Sequence, residues 1–285
     1  MLVTGKQILD HAHENGYAVG AFNVNTMEQV QAIINAAEET KSPVIMQASQ
    51  GALKYAGVEY IAAMAKVAAE NASVPVALHL DHGTDFKQII KCIRYGFTSV
   101  MIDASKHVLD ENIKITKEIV DIAHAAGVSV EAEIGKIGGT EDDITVDERD
   151  ATYTDPDEAK KLVDKTGLDS LAIAVGTAHG PYKGEPKLDF DRITTIKEKL
   201  DMPLVLHGSS GVPESSIKEA VKRGINKINI DTDIRMSFNE AVRDFVNNDK
   251  DTYDPRKILG PAREAMKNVI VEKMTMFGSK DKAWK

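Results

Sequence analysis

Residues 75–96 read PVALHLDHGTDFKQIIKCIRYG, a strand followed at once by a helix. Pro75 opens an apolar run to His82, and the first residue of a strand tolerates a missing N–H. Phe86, Ile89, Ile90 and Ile93 then recur at i, i+3, i+4 and i+7, the spacing of one apolar helix face. Gly96 ends that helix. The same unit repeats in both directions along the chain. Strands are predicted at 18–24 (AVGAFNV), 43–49 (PVIMQAS), 75–82, 99–105 (SVMIDAS), 129–135 (SVEAEIG), 170–177 (SLAIAVGT), 203–208 (PLVLHG) and 227–232 (KINIDT). Between them lie helical patterns such as Ile113, Ile115, Ile119, Val120 and Ile122, closed by Gly127. Eight strand–helix units with no linker-like stretch predict an α/β protein, a (β/α)₈ TIM barrel spanning residues 1–285 as one domain.

Two segments break the rhythm. Residues 136–157 are glycine-rich, then acidic, and lack an apolar period, which predicts a long mobile loop after the fifth strand. From about Asn247 onward the chain predicts an extra C-terminal helix with no matching strand.

Composition narrows the function classes. The net charge of −9, with no long basic run, argues against nucleic acid as a partner. No apolar run approaches the length of a membrane span, and the N-terminus lacks a signal pattern. The single cysteine, Cys92, falls in a helical pattern and reads as a small core residue. A reducing, cytoplasmic setting is therefore expected.

His82, His179 and His207 each follow an apolar run and each precede a glycine, namely Gly83, Gly180 and Gly208. Three imidazoles at three strand ends predict a metal site across a barrel mouth. Three protein ligands leave a position open for substrate, the mark of a catalytic metal. Asp81, adjacent to His82, is a candidate acid/base. Polar residues gather on the late halves of other strands: Asn23, Gln47, Ser49, Asp103, Glu131, Glu133, Asn229 and Asp231. That is the end where barrel enzymes place their chemistry. Buried carboxylates need cations or donors nearby. His79, inside its strand, reads as packed rather than ligating, and His11, His13, His107 and His124 as surface residues. The small residues Gly208-Ser209-Ser210-Gly211, together with Asp231 and Thr232 before the last helix, predict a phosphate site at a common corner for it.

The strings HLDHG (79–83), SVMIDAS, SVEAEIG followed by GGTEDD (138–143), GTAHGPYKGEPKLDF (176–190), LVLHGSSG (204–211), KINIDT and YDPRK (253–257) resemble the class II, metal-dependent fructose-1,6-bisphosphate aldolases and their tagatose-1,6-bisphosphate relatives. The resemblance covers nearly the whole chain. It implies reversible cleavage of a ketohexose bisphosphate to dihydroxyacetone phosphate and glyceraldehyde 3-phosphate. It implies a catalytic Zn²⁺ on His82, His179 and His207, with Asp103 and Glu133 at an alternative or second zinc position. Asp81 would exchange the C4 hydroxyl proton. Glu141 would act at C1 of dihydroxyacetone phosphate, and Asn229 would steady the enediolate. Gly180, Gly208, Ser209, Ser210, Asp231 and Thr232 match a triose phosphate pocket. Asn23 and Ser49 match substrate-side positions, and Arg256 an arginine that reaches the far phosphate, in some members from a neighbouring subunit. A monovalent cation (Na⁺ or K⁺) and a homodimer or homotetramer are further implications. The stretch 181–186 and the DPRKILGP tail favour the fructose epimer, whereas Gly208-Ser209-Ser210-Gly211 pulls the other way. A Schiff-base mechanism would need a desolvated lysine inside the barrel, and Lys227 reads as lying near the opposite end. Two other readings are a zinc hydrolase on the same barrel and a non-catalytic sugar-phosphate binder.

Overall fold

The computed structural model describes residues 1–141, 144–147, 151–182 and 184–284; at 141 and 144–146 it describes the backbone alone. The elements, in chain order, are α1 (Gly5–Glu14), β1 (Val19–Asn23), α2 (Met27–Thr40), β2 (Val44–Ser49), α3 (Gln50–Ala56), α4 (Val58–Asn71), β3 (Val76–Gly83), α5 (Phe86–Arg94), β4 (Ser99–Ile102), α6 (Leu109–Ala125), β5 (Ser129–Ile134), β6 (Gly138–Glu141), β7 (Ile144–Val146), α7 (Pro156–Thr166), β8 (Ser170–Ile173), β9 (Ala178–His179), α8 (Phe190–Leu200), β10 (Leu204–Leu206), α9 (Glu214–Lys222), β11 (Ile225–Ile230), α10 (Thr232–Asn248) and α11 (Pro255–Met276). Eight strands close a barrel in the order β1-β11-β10-β8-β5-β4-β3-β2. Every neighbouring pair is parallel, as the repeated βα unit requires. α11 is the expected C-terminal extension, and Cys92 is buried in the core. No helix among the described residues is long and apolar enough to cross a membrane.

The two-residue period of a strand sorts the core into two compartments. Phe22, Met46, Leu78, Leu80, Val100, Ile102, Ala132, Leu206 and Ile228 face the helix layer. Val19, Ala21, Ile45 and Ala77 take the other parity and form a separate cluster with Ile8, Leu9, Ala12 and Tyr17. α1 therefore plugs the barrel floor. It comes so close that a Cβ on Gly5 would lie 2.6 Å from the Ser99 hydroxyl. With the floor filled by apolar groups, the polar inward residues occupy the layers above it.

The long segment expected after the fifth strand, residues 136–157, carries short strands of its own where it is described. β6 and β7 form an antiparallel hairpin, and β6 runs parallel to β9 with Gly138 opposite Ala178 and Gly139 opposite His179. Gly139 has a φ of +98°, and a Cβ there would collide with the His179 backbone, so glycine is what lets the hairpin seat. The absence of an apolar period is no bar, because this sheet is held by backbone pairing. Asp142 and Asp143 lie outside the described residues, as does the side chain of Glu141.

Candidate metal centre and active site

β3 carries the decisive irregularity. Along a regular strand, Asp81 and His82 would point to opposite faces. The register with β4 slips between Leu80, opposite Val100, and Gly83, opposite Ile102, so one extra residue sits on β3. His82 adopts a left-handed backbone, φ +46°. That conformation costs a non-glycine residue about 1–3 kcal/mol and is typical of functional positions. The bulge brings both side chains into the barrel mouth, and both are buried.

The three predicted histidines converge. The ring centroids of His82 lie 5.0 Å from those of His179 and 4.6 Å from those of His207. One ligand nitrogen from each lies within 4.8 Å of the others. Neighbouring carboxylates assign the tautomers. His82 Nδ1 lies 3.1 Å from Asp103 Oδ2, and His207 Nε2 lies 3.0 Å from Glu131 Oε1. Each ring thus donates to a carboxylate from one side. The opposite nitrogens, His82 Nε2 and His207 Nδ1, face each other at 2.9 Å. Two lone pairs at that distance repel unless a cation takes both, and the carboxylate behind each of these two rings is the usual support of a metal site. The donor set therefore fits a metal such as zinc. Glu133 Oε2 is buried without a hydrogen bond, 3.8 Å from His207 Nδ1. His82, Asp103 and Glu133 form a second candidate group that shares His82 with the first.

The charges in this layer respond to one another. Burial alone would raise the Asp103 carboxyl, but His82 and the Ser105 hydroxyl and amide hold it well below the carboxylate range. Burial likewise opposes ionisation of Glu131, yet Lys227, His207 and His79 keep it ionised. Burial, then the Asp103 and Glu131 charges, push Glu133 well above its ordinary value. Burial and the Lys227 charge take His79 down to about 3, and its Nδ1 pairs with Ser99 Oγ at 2.8 Å, as expected for a packed histidine.

Lys227 is placed otherwise than its position along the strand suggests. It is fully buried inside the barrel, and Nζ lies 2.9 Å from Glu131 Oε2. It is the cation beneath Glu131, which in turn holds His207. Removing one member of a buried ion pair typically costs about 3–5 kcal/mol. Lys227→Met is thus expected to lower the unfolding free energy of the metal-free protein by about that amount. Adding Glu131→Gln should recover part of the loss. Urea unfolding of the three proteins checks this, and a wild-type midpoint for Lys227→Met would show the pair to be uncoupled.

Asp81 sits in a cradle of amides. Gln47 Nε2 donates to Oδ2 at 2.9 Å, Asn23 Nδ2 to Oδ2 at 3.2 Å and Asn229 Nδ2 to Oδ1 at 3.2 Å. Gln47 also donates to Asn23 Oδ1 at 2.7 Å. The sequence marks Gln47 as an inward polar residue without giving it a role; its place opposite Asn23 and His79 supplies one. Ser49, opposite Asp81, caps α3 by accepting from the Ala52 amide.

Beside the histidines opens a cavity of about 420 Å³. Its walls include Gly180, Gly208, Ser209, Ser210, Asp231 and Thr232, the predicted phosphate set, together with His179 and Asn229. Pro181, Thr140 of the hairpin and Arg235, Met236 and Asn239 of α10 complete it, and the sequence does not mark the last four as a group. Arg235 Nε lies 2.8 Å from Asp231 Oδ1. Gly208, at φ +60°, passes so near Ala178 that a Cβ would strike its carbonyl. The Tyr182 hydroxyl accepts from the Ala178 amide at 2.8 Å and donates to the Gly208 carbonyl at 2.7 Å, tying the His179 segment to the His207 loop. Arg256 is not brought to this cavity: its side chain is 89% exposed and pairs with Asp254.

Residues 3–282 match the family model for class II fructose-bisphosphate aldolase. The chain is 49% identical to the fructose-bisphosphate aldolase of Geobacillus stearothermophilus, over 99% of each chain. It is 47% identical to that of Helicobacter pylori strain J99, over 99% of this chain and 100% of the relative. Among solved structures it is similar to a putative fructose-1,6-biphosphate aldolase from Coccidioides immitis, with a TM-score of 0.90 and 30% identity over 98% of this chain and 97% of that one.

Proposed function

This chain belongs to the class II fructose-bisphosphate aldolase family, and from that premise we propose how its residues cleave fructose 1,6-bisphosphate into dihydroxyacetone phosphate and glyceraldehyde 3-phosphate. The observation that carries the reading is a carboxylate, Asp81, held by three amides beside three converging histidines. His82, His179 and His207 would hold the zinc, with Asp103 and Glu133 available as an alternative position. When bound, zinc supplies Lewis-acid stabilisation of the negative charge that develops on the ketone half.

The chain's own groups do the rest. Asp81 takes the C4 hydroxyl proton as the C3–C4 bond breaks, and returns it in the synthetic direction. Asn229 reaches the same carboxylate and the cavity, so it holds Asp81 and the ketone half in register. Gly180, Gly208, Ser209, Ser210, Asp231 and Thr232 receive the triose phosphate, whose remote binding energy positions the reacting bond. A monovalent cation at the Gly180 and Gly208 carbonyls would share the latter with the Tyr182 hydroxyl. Asn23 and Ser49 stand on the substrate side of Asp81. Arg256, far out on α11, would serve the far phosphate only from a neighbouring subunit of a homodimer or homotetramer. Lys227, committed to Glu131, is not placed to form a Schiff base.

Glu141 is assigned the proton at C1 of dihydroxyacetone phosphate. Its hairpin is paired to the His179 strand, so closure of the hairpin would deliver it to the cavity. Glu141→Ala should slow C1 proton exchange by about 10²-fold or more and leave zinc content unchanged. Exchange at the wild-type rate would remove Glu141 from the mechanism.

The decisive experiment is a parallel assay of fructose and tagatose 1,6-bisphosphates, with and without a chelator. Chelator-sensitive cleavage with a higher kcat/KM for the fructose epimer is expected. The epimers differ only at the C4 hydroxyl that meets Asp81, and one such contact is worth a few kcal/mol at most, roughly 1–3. A higher value for tagatose bisphosphate would reverse the epimer assignment and leave the aldolase reading standing. Turnover that resists chelation would remove zinc from it.

A further inference from the structure

Away from the active site, the end of α8 meets α1. Lys197 Nζ donates to the Met202 carbonyl at 3.0 Å and is hydrogen-bonded to His13 Nδ1. His13 Nε2 lies 3.4 Å from Asp201 Oδ1. The lysine assigns the tautomer: Nδ1 accepts from Nζ, so Nε2, on the side of Asp201, carries the proton. A carboxylate, an imidazole and an amine thus stand in line, the arrangement in which a base oriented by a third group activates a nucleophile.

Other lysines of this chain are held differently. Lys6, Lys160 and Lys218 each pair with a carboxylate one helical turn away, which favours the ammonium. Lys197 is bonded to a ring nitrogen and a carbonyl instead. Its stem runs over Gly224, where a Cβ would come within 2.6 Å of the Lys197 Cγ, so glycine there leaves room for the stem. The group is half-buried, and Asp201 is 92% exposed, so the cluster opens to solvent.

We propose that Asp201, His13 and Lys197 form an activated amine, and that Lys197 is a preferred site of acylation by small acyl phosphates. The lone pair on Nζ attacks the acyl carbon, and the bond from that carbon to the phosphate oxygen breaks. Phosphate leaves with the electron pair, and the proton from Nζ passes to His13 Nδ1 and on to water. No oxidation or reduction is involved. The product amide has lost its charge, so the tie between α8 and the floor helix α1 is weakened while the metal centre is untouched.

Burial of the amine, opposed by Asp201, also lowers Lys197 to about 8. Against an ordinary lysine that leaves roughly 10²-fold more neutral amine near pH 7. A less basic nucleophile gives back part of the gain, leaving a net preference of roughly tenfold.

The test is to incubate the zinc-loaded full chain with acetyl phosphate and follow each lysine by peptide mass spectrometry. Lys197 should be acetylated roughly tenfold faster than Lys6, Lys160 and Lys218. His13→Leu removes the base but leaves the amine buried, so the Lys197 rate should fall by about twofold or more without reaching that of the surface group, with aldol cleavage unchanged as proof of folding. A Lys197 rate no higher than the surface lysines, or one undiminished in His13→Leu, would overturn the proposal.

Discussion

His207→Ala is expected to lose most of its zinc and nearly all turnover, by more than about 10³-fold, since the metal's charge stabilisation is worth several kcal/mol. His207 is the hinge of the whole layer. Nδ1 faces His82 Nε2, and Nε2 donates to Glu131, which is itself held by Lys227. Alanine removes a ligand and also leaves Glu131 without one of its donors, so metal content and stability should fall together. Elemental analysis and a zinc titration of the variant check the first effect, and urea unfolding the second. Full zinc occupancy with wild-type turnover would show that His207 is not a ligand. Loss of turnover with zinc retained would assign the metal to the His82, Asp103 and Glu133 group instead.

The βα repeat was legible because two local signals agree: apolar runs with proline or glycine at their ends, and helical spacing between them. That Gly208, Ser209, Ser210, Asp231 and Thr232 share one cavity wall was legible for a similar reason, since small residues after neighbouring strands leave open space. The convergence of His82 and His207 could be read from the ends of barrel strands, whereas His179 arrives from β9 of the hairpin sheet, beyond the end of β8. The bulge that turns His82 inward could not, because side-chain parity places it opposite Asp81. Lys227 shows the same limit. Position along a strand locates Cα, whereas the four-carbon stem carries the ammonium up to Glu131. The floor helix escaped notice because the GKQILDHAHE stretch buries only Gly5, Ile8, Leu9 and Ala12, and it has no strand of its own to mark it. The hairpin escaped because its pairing with β9 is made by the backbone at Gly138 and Gly139. Arg256 stays outside the cavity, because its exposed side chain is held by Asp254 at the start of α11.

Asp81→Ala is expected to keep zinc and lose about 10²–10⁴-fold in cleavage rate, the usual contribution of a general acid–base group. The separation of the two readouts follows from the bulge. His82 takes its orientation from Asp103 and its place from the β3 backbone. Asp81 takes its orientation from Asn23, Gln47 and Asn229. The neighbours in sequence thus answer to different partners, and removing one carboxylate leaves the other's ring in place. Alanine frees three amide donors in a buried setting, so a modest loss of stability, about 1–3 kcal/mol, should accompany the kinetic defect. Asp81→Asn distinguishes the two effects: it keeps the volume and part of the hydrogen bonding but cannot take a proton at neutral pH. Its stability should lie closer to wild type than that of Asp81→Ala, while its rate stays equally low. A rate within a fewfold of wild type in either variant would take the C4 proton away from Asp81. Loss of zinc in Asp81→Asn would mean that the carboxylate, rather than the bulged backbone, holds His82 in place.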